Sequence, residues 1–435
     1  MDWYDANIIL VTHSMLPVTQ LSILLSILLG SQIAFGSPQS PAESPPWEQG
    51  SPPILSPKML SDDHKMPLAL SEWTFHKSAD GSRPSGVEQQ YMWMMNRARA
   101  NPEVEGIWLS LVQDSLIQNA ISYFSVNKDI LRTEFGALSP TPPAAFDIRL
   151  HNAAVAHSEY LISVDGQNHN DQFQRMSDAG FSYSSGRGSV FSYSRNGAYG
   201  HAGFNIDWGG DDGTGMQTGR GHRAGLMGNY SNVGVGVVEE NNVNTSVGPE
   251  VTTINYCNAR TSSANHYNRF IVGTVWEDQN GNYFYDPGEG LSGVTVMLDS
   301  GDFFAVTGTA GGYAIPVDSG TYQISYSGGA LSQPVDKNVT VGSSSLLVPW
   351  VDVPSVVLLA GTSIDIDAVL QEADTSWSFA YGLPSTVSVS SDLENWEIID
   401  DGISKSGSTL NWSENWSGSP TPRFWRIQAW NYLED

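Results

Sequence analysis

Apolar positions along the chain follow two regimes, one with helical spacing and one with alternation. Val87, Tyr91, Met94, Met95 and Ala98 recur at the three- and four-residue spacing of a helix face, and Asn101-Pro102 predicts where that helix stops. Leu150, Ala153, Ala154, His157 and Leu161 predict a second helix ending near Asp165-Gly166. Between residues 169 and 232 the chain is rich in Gly, Ser and Tyr. The run Val233-Gly234-Val235-Gly236-Val237-Val238 then predicts a buried strand, and Val251 to Tyr256 another. Helices and strands in one stretch predict a layered α/β or α+β unit. Beyond Phe270 no helical period competes. Val294 to Leu298, Tyr313 to Val317, Tyr322 to Tyr326 and Val339 to Val341 alternate between turns, the pattern of a small β-sandwich. From about 375 to 435 the alternation resumes (Val387, Val389; Trp396, Ile398; Phe424, Arg426) and predicts a second small β-module.

Length and composition add the division into modules. A chain of 435 residues exceeds one ordinary core, and 40% hydrophobic residues with 14 Trp and 17 Tyr supply enough apolar surface for several. The expected division is an export leader at 1–36, a linker at 37–85, an α/β domain at 86–265, a β-sandwich at 266–372 and a β-module at 373–435. The leader is read from the short apolar run Leu21 to Leu29 and the small-residue site Ala34-Phe35-Gly36, although no Lys or Arg precedes the run. The run is too short to span a bilayer, so no transmembrane helix is expected in the mature chain. The linker is read from repeated Ser-Pro pairs between Ser37 and Pro57.

Charge narrows the partners. With 46 acidic against 20 basic residues the formal charge is −26, which repels nucleic acid and anionic lipid and favours divalent cations. The single cysteine, Cys257, excludes an internal disulfide framework and reads as a buried structural residue.

The string from Glu88 to Pro102, the helix from Leu150 to Leu161, His169 with Arg175 and Gly180, Gly200-His201 through Trp208, Gly215-Met216-Gln217 and Gly221-His222-Arg223 occur in one order. Together they resemble a bacterial subgroup of the CAP superfamily, the cysteine-rich secretory and pathogenesis-related fold, over residues 86 to 260. The resemblance implies an α/β/α sandwich with a central groove in which two His and two Glu can hold a divalent metal such as zinc. His169 and His222 occupy the two His positions. The first Glu is replaced, since Arg187-Gly188-Ser189 stands at the family's Gly-Glu-Asn motif. For the second, Asp211 and Asp207 are the candidate counterparts near Trp208. Imidazole suits zinc but needs a carboxylate or water to complete a site. The alternative is that both histidines are structural, with His157 packing within its helix and His201 bracing the groove.

A second constellation follows. Asp278, Asn280, Asn282, Asp286 and Glu289 place side-chain oxygens at positions 1, 3, 5, 9 and 12 of a loop, with the Phe284 carbonyl at 7. This is the hard, oxygen-rich set that calcium requires. Tyr283 stands at position 6 where a calcium loop of the helix-flanked kind has Gly, and strands rather than helices are expected on either side. The loop with its flanks, Gly273 to Val296, Gly311-Gly312-Tyr313 and Gly320-Thr321-Tyr322, resembles the B-type repeats of Gram-positive surface adhesins. That likeness implies a calcium-stiffened β-sandwich in which the metal is structural; a hairpin turn without metal is the alternative.

The combined expectation is a multidomain, secreted or cell-surface protein. Non-catalytic binding of a lipid, sterol or glycan in the groove, with the β-modules as a stalk toward a cell-surface or matrix partner, is favoured by the lost carboxylate. A metal-dependent hydrolase using His169, His222 and Asp207 or Asp211 is the rival, and a structural spacer is a third reading. The C-terminal aromatics are read as core rather than as a glycan platform.

Overall fold

The structure is a computed structural model that describes residues 70–210 and 212–352, the strands Ala6–Thr12 and Ser26–Ile27, and stretches within 363–429. It is multidomain, and among the described residues it has five separate β-sheets and a set of helices concentrated between residues 86 and 226. Most of the leader and linker motifs, Leu21 to Leu29, Ala34 to Gly36 and the Ser-Pro pairs among them, lie outside the described residues apart from Ser26–Ile27.

The first predicted helix is α1, Gly86–Ala100, and the second is α5, Ile148–Ser163. Ser85 opens α1 with a capping box: its hydroxyl accepts from the Glu88 N–H while the Glu88 carboxylate accepts from the Ser85 N–H. Asn101 ends α1 and caps α2, Pro102–Leu111. Only α1 and α5 are expected from the sequence; α2 is not, nor are α3, Ser115–Tyr123, α4, Lys128–Gly136, and α6, Gln172–Asp178, nor the two short helices that follow.

These helices cover a four-stranded sheet on both faces. Both expected strands form, as Asn232–Glu239 and Glu250–Ala259, and they pair antiparallel; Ala145–Phe146 and Tyr183–Ser194 complete the sheet. Val233 and Val235 point into the large core with α1, while Gly234 and Gly236 turn the other way, under α5. A Cβ at Gly234 would lie 2.1 Å from the Leu150 carbonyl carbon, and one at Gly236 would lie 2.4 Å from the Val155 nitrogen. The alternating glycines let the α5 backbone sit directly on the strand.

Residues 270–352 form two sheets that share a core of Ile271, Val275, Val296, Ile315, Ile324 and Tyr326. Phe270–Glu277 pairs with Gly312–Pro316 in one sheet; Thr295–Leu298, Phe303–Val306, Gly320–Ser327 and Val335–Val341 belong to the other. The expected linker needs correction at its end. Ser71–Glu72 adds a parallel strand beside Phe303–Val306, and Trp73 packs among Phe270, Phe303 and Tyr267. The apolar anchor Trp73 and the buried His76 outweigh the Pro/Ser character read for 37–85. The boundary at 372 also moves, because Ser363–Asp367 pairs with Glu372–Ser378 in a sheet with Thr409–Asn415. In that last unit Trp377, Trp412 and Trp425 form the core, as read. Its second sheet pairs Arg423–Ala429 with Ser385–Ser390 on one side and with Ala6–Thr12, inside the expected leader, on the other.

The pattern of α1 predicts one apolar face, yet every residue from Glu88 to Arg99 is buried. The second face is covered by the 278–289 loop of the β-sandwich. Trp276, Phe284 and Tyr285 belong to the same core cluster as Trp93, Trp108 and Tyr91.

Candidate functional site

The groove is built where α7, Gly197–Ala202, runs into a single π turn, Gly203–Asp207. A π turn widens the helix locally, and such turns recur at functional sites. Asp207 ends it in a left-handed conformation (φ 58°), and its side chain is completely buried. Asp207 Oδ1 accepts from His222 Nδ1 at 2.7 Å, and Oδ2 accepts from the His222 main-chain N–H at 2.9 Å. This fixes the ring and leaves Nε2 for the cavity.

His222 opens the short helix α8, Gly221–Leu226, whose arginines hold the assembly in place. Arg223 Nε donates to the Asn205 carbonyl in the π turn, and Arg220 and Arg223 both reach Glu134 on α4. Partial burial opposes ionisation of Glu134, but its bonds from the two arginines hold the carboxyl below its ordinary range.

The cavity in front of His222 has a volume of about 80 Å³. Val190, Phe191, Phe204 and Trp208 give it an apolar wall; Gln167, Gln217 and His222 supply polar atoms, and Tyr193 stands at its edge. Ligand pockets that swallow a drug-sized molecule run to roughly 300 Å³ or more. This one is several times smaller.

His169 does not line this cavity. Its Nδ1 bonds Gln172 Oε1 at 2.7 Å, Gln172 Nε2 donates to Asn255 Oδ1 at 2.8 Å, and the Asn255 amide donates to the Leu150 carbonyl. Gln172 lies over Gly188, where a Cβ would be 2.4 Å from its amide nitrogen. The structure therefore joins His222 with Asp207 and gives His169 a separate amide partner. Asp211 lies outside the described residues. His157 is buried, as read: Nε2 bonds the Asn168 carbonyl and Nδ1 faces Arg175. His201 is buried against Glu105 at 2.9 Å. Among the described residues no group of three or more His, Cys, Asp or Glu side chains is gathered to hold a metal. Asp207 is committed to Nδ1 of His222, so among the described residues the groove gathers no set of three protein ligands of the kind a catalytic zinc takes.

The 278–289 loop has different chemistry. Asp278 accepts main-chain N–H bonds from Gly281, Asn282 and Tyr283. Tyr283 takes a left-handed conformation (φ 60°), so position 6 keeps the turn that Gly usually provides. The amides of Asn280 and Asn282 both donate to Asp286 Oδ2, at 2.8 and 2.7 Å. Glu289 is buried and accepts from the Gln279 and Asp286 N–H groups. Burial, reinforced by the charges of Asp286 and Asp278, pushes its carboxyl up to about 7 against those bonds. Among the described residues no Lys or Arg is paired with any of the three carboxylates. The three are spread around the turn rather than drawn together, with amide and main-chain oxygens between them. Among the described residues these side chains are not gathered into a metal-holding group, although carboxylates with neighbouring amide and main-chain oxygens are the donor types a hard divalent cation takes.

Sequence reasoning missed Arg97 and Glu105, both buried and paired through two bonds at 2.9 Å. Burial favours the neutral acid, but Arg97 and His201 hold the Glu105 carboxyl below its ordinary range. Arg97 does not stand out in α1, which also carries Glu88, Gln89, Gln90, Asn96 and Arg99.

No protein-family model and no curated protein matches the chain. Among solved structures, an extracellular protein containing an SCP domain from Bacillus anthracis aligns at 16% identity and a TM-score of 0.21, over 32% of this chain and 39% of that one. A DUF3823-family protein from Bacteroides ovatus aligns at 12% identity and a TM-score of 0.14, over 34% of this chain and 81% of that one. These overlaps are partial and do not define a family. Among the described residues no helix is long and apolar enough to cross a membrane.

Proposed function

We propose that the chain is an exported, non-catalytic CAP-type binding protein that holds one ring or chain end of a small lipid, sterol or glycan-like ligand. The carrying observation is the small aromatic cavity closed at its polar end by His222, whose ring is locked by Asp207. Apolar walls with a few fixed polar atoms are the chemistry of small-ligand recognition. Trp208 in the wall provides the assay: its fluorescence should respond to ligands carrying one ring and a hydrogen-bonding group, and His222→Ala should weaken that response. A broad panel of lipids, sterols and glycans that leaves the signal unchanged would remove this reading.

In the same proposal, Asp278, Asn280, Asn282, the Phe284 carbonyl, Asp286 and Glu289 hold a structural calcium ion. The ion would supply the positive charge that the loop lacks. A second reading follows from the Asp207–His222 pair alone, because an imidazole oriented by a buried carboxylate can act as a general base without metal. Turnover lost in His222→Ala and rescued by no added metal would favour it over binding.

A further inference from the structure

Outside the groove, Phe284 meets three aromatic rings drawn from two other parts of the chain. Its ring stacks on Trp108 (5.7 Å between centroids, 13° between planes), meets Trp93 edge-on at 5.1 Å and meets Tyr381 edge-on at 4.8 Å. Trp93 belongs to α1, Trp108 to α2 and Tyr381 to the C-terminal unit. The Arg97 guanidinium lies over three of these rings, 5.0 Å from Trp93, 4.5 Å from Trp108 and 5.2 Å from Phe284. On the C-terminal side the Gly382 N–H donates to the Asn282 carbonyl at 2.8 Å, and Trp108 Nε1 donates to the Tyr381 carbonyl at 2.8 Å. A Cβ at Gly382 would lie 1.9 Å from the Tyr283 carbonyl oxygen, so the two backbones touch. On the α1 side Gln90 Nε2 donates to the Tyr285 carbonyl at 2.9 Å. One turn of chain therefore contacts all three modules.

We infer that the Asp278–Glu289 loop is an inter-module keystone, and that a divalent cation bound there governs the packing of the α1–α2 face of the groove-bearing domain. This rests on the calcium reading of the loop given above. The physical link is short: Phe284 offers its carbonyl at ligand position 7 and its ring to Trp108 and Arg97. Fixing one end of the residue fixes the other. Arg97 in turn holds Glu105, which bonds His201 on α7, the helix that runs into the π turn carrying Asp207. Calcium would thus act as more than a stiffener of a separate stalk. Coupling of this kind requires an element that the ligand itself biases, and the loop is that element.

The test is hydrogen exchange on the full chain, chelator-stripped and calcium-loaded, with bound calcium measured by equilibrium dialysis on the same samples. Calcium should slow exchange over residues 86–111 by about tenfold or more, together with residues 270–277. In Phe284→Leu, which keeps the carbonyl, calcium should still bind and the response over 86–111 should shrink. Bound calcium with a response confined to 270–277, or a full response in Phe284→Leu, overturns the keystone and leaves the calcium site standing. No bound calcium overturns both.

Discussion

Glu105 and His201, one on α2 and one on α7, meet at 2.9 Å in a region from which both side chains are fully withdrawn from solvent. Arg97 completes the set with a two-pronged bond to the same carboxylate. Removing Glu105 takes the carboxylate away from both Arg97 and His201 and leaves the guanidinium in the core without that counter-charge. Glu105→Ala should therefore cost about 3–5 kcal/mol, read as a shift in the denaturation midpoint. Glu105→Gln should cost less, since the amide keeps an acceptor for Arg97. Equal losses in the two variants would mean that the charge is not what matters.

Gly234 and Gly236 make a sharper packing test. Alanine at either must push α5 off the strand, because main-chain atoms of Leu150 and Val155 occupy the space a Cβ would need. Each substitution should destabilise by about 1–3 kcal/mol or more, seen as a lower melting temperature. Gly166→Ala, whose nearest neighbour is the Val164 carbonyl at 3.6 Å, should have a much smaller effect.

His157 gives a pH dependence with a defined sign. Burial lowers its folded-state pKa from 6.5 to about 4, against the bond to the Asn168 carbonyl. The fold keeps the neutral ring, whose Nδ1 accepts from Arg175. Between pH 6.5 and 4 the unfolded chain takes up the proton and the folded chain does not. The contribution is thus present above pH 6.5 and lost as pH falls toward 4, by about 2 kcal/mol. His157→Gln should flatten that part of the stability profile relative to the parent chain. A parallel profile in the variant would assign the acid sensitivity elsewhere.

Asp207 sets the ring nitrogen that faces the cavity. Asp207→Asn should weaken the hold on His222 Nδ1–H and let both ring tautomers populate, visible in the nitrogen NMR spectrum of the imidazole. Loss of a charge-assisted bond of this kind costs about 1.5–3 kcal/mol. A single unchanged tautomer in the variant would show that something other than Asp207 fixes the ring.

Much of this architecture was legible because local pattern and tertiary packing agree. The spacing of Tyr91, Met94 and Met95, with Asn101-Pro102 as a stop, defines α1; the Val-Gly alternation defines the strand under α5. Tyr183–Ser194 was not legible, because Gly, Ser and Arg interrupt its apolar alternation and its strand character comes from pairing with Glu250–Ala259. Residues 70–85 read as linker because Pro and Ser dominate what precedes them, whereas Trp73, Phe75 and His76 are among the few side chains that anchor the segment. At the groove, Asp207 and His222 could be nominated from sequence, but their contact depends on a π turn with no local signature. His169 was nominated by the same reasoning and carries a different partner. Phe284 was legible only as a carbonyl donor, since its ring contacts come from residues about 100 to 200 positions away.

The most direct test of the loop reading is a calcium titration of the chelator-stripped chain followed by calorimetry, repeated on Glu289→Gln and Asp278→Asn. One calcium per chain is predicted, with affinity at least about tenfold weaker in each variant. A parent chain that takes up no calcium, or variants that bind it as tightly as the parent, would contradict the account.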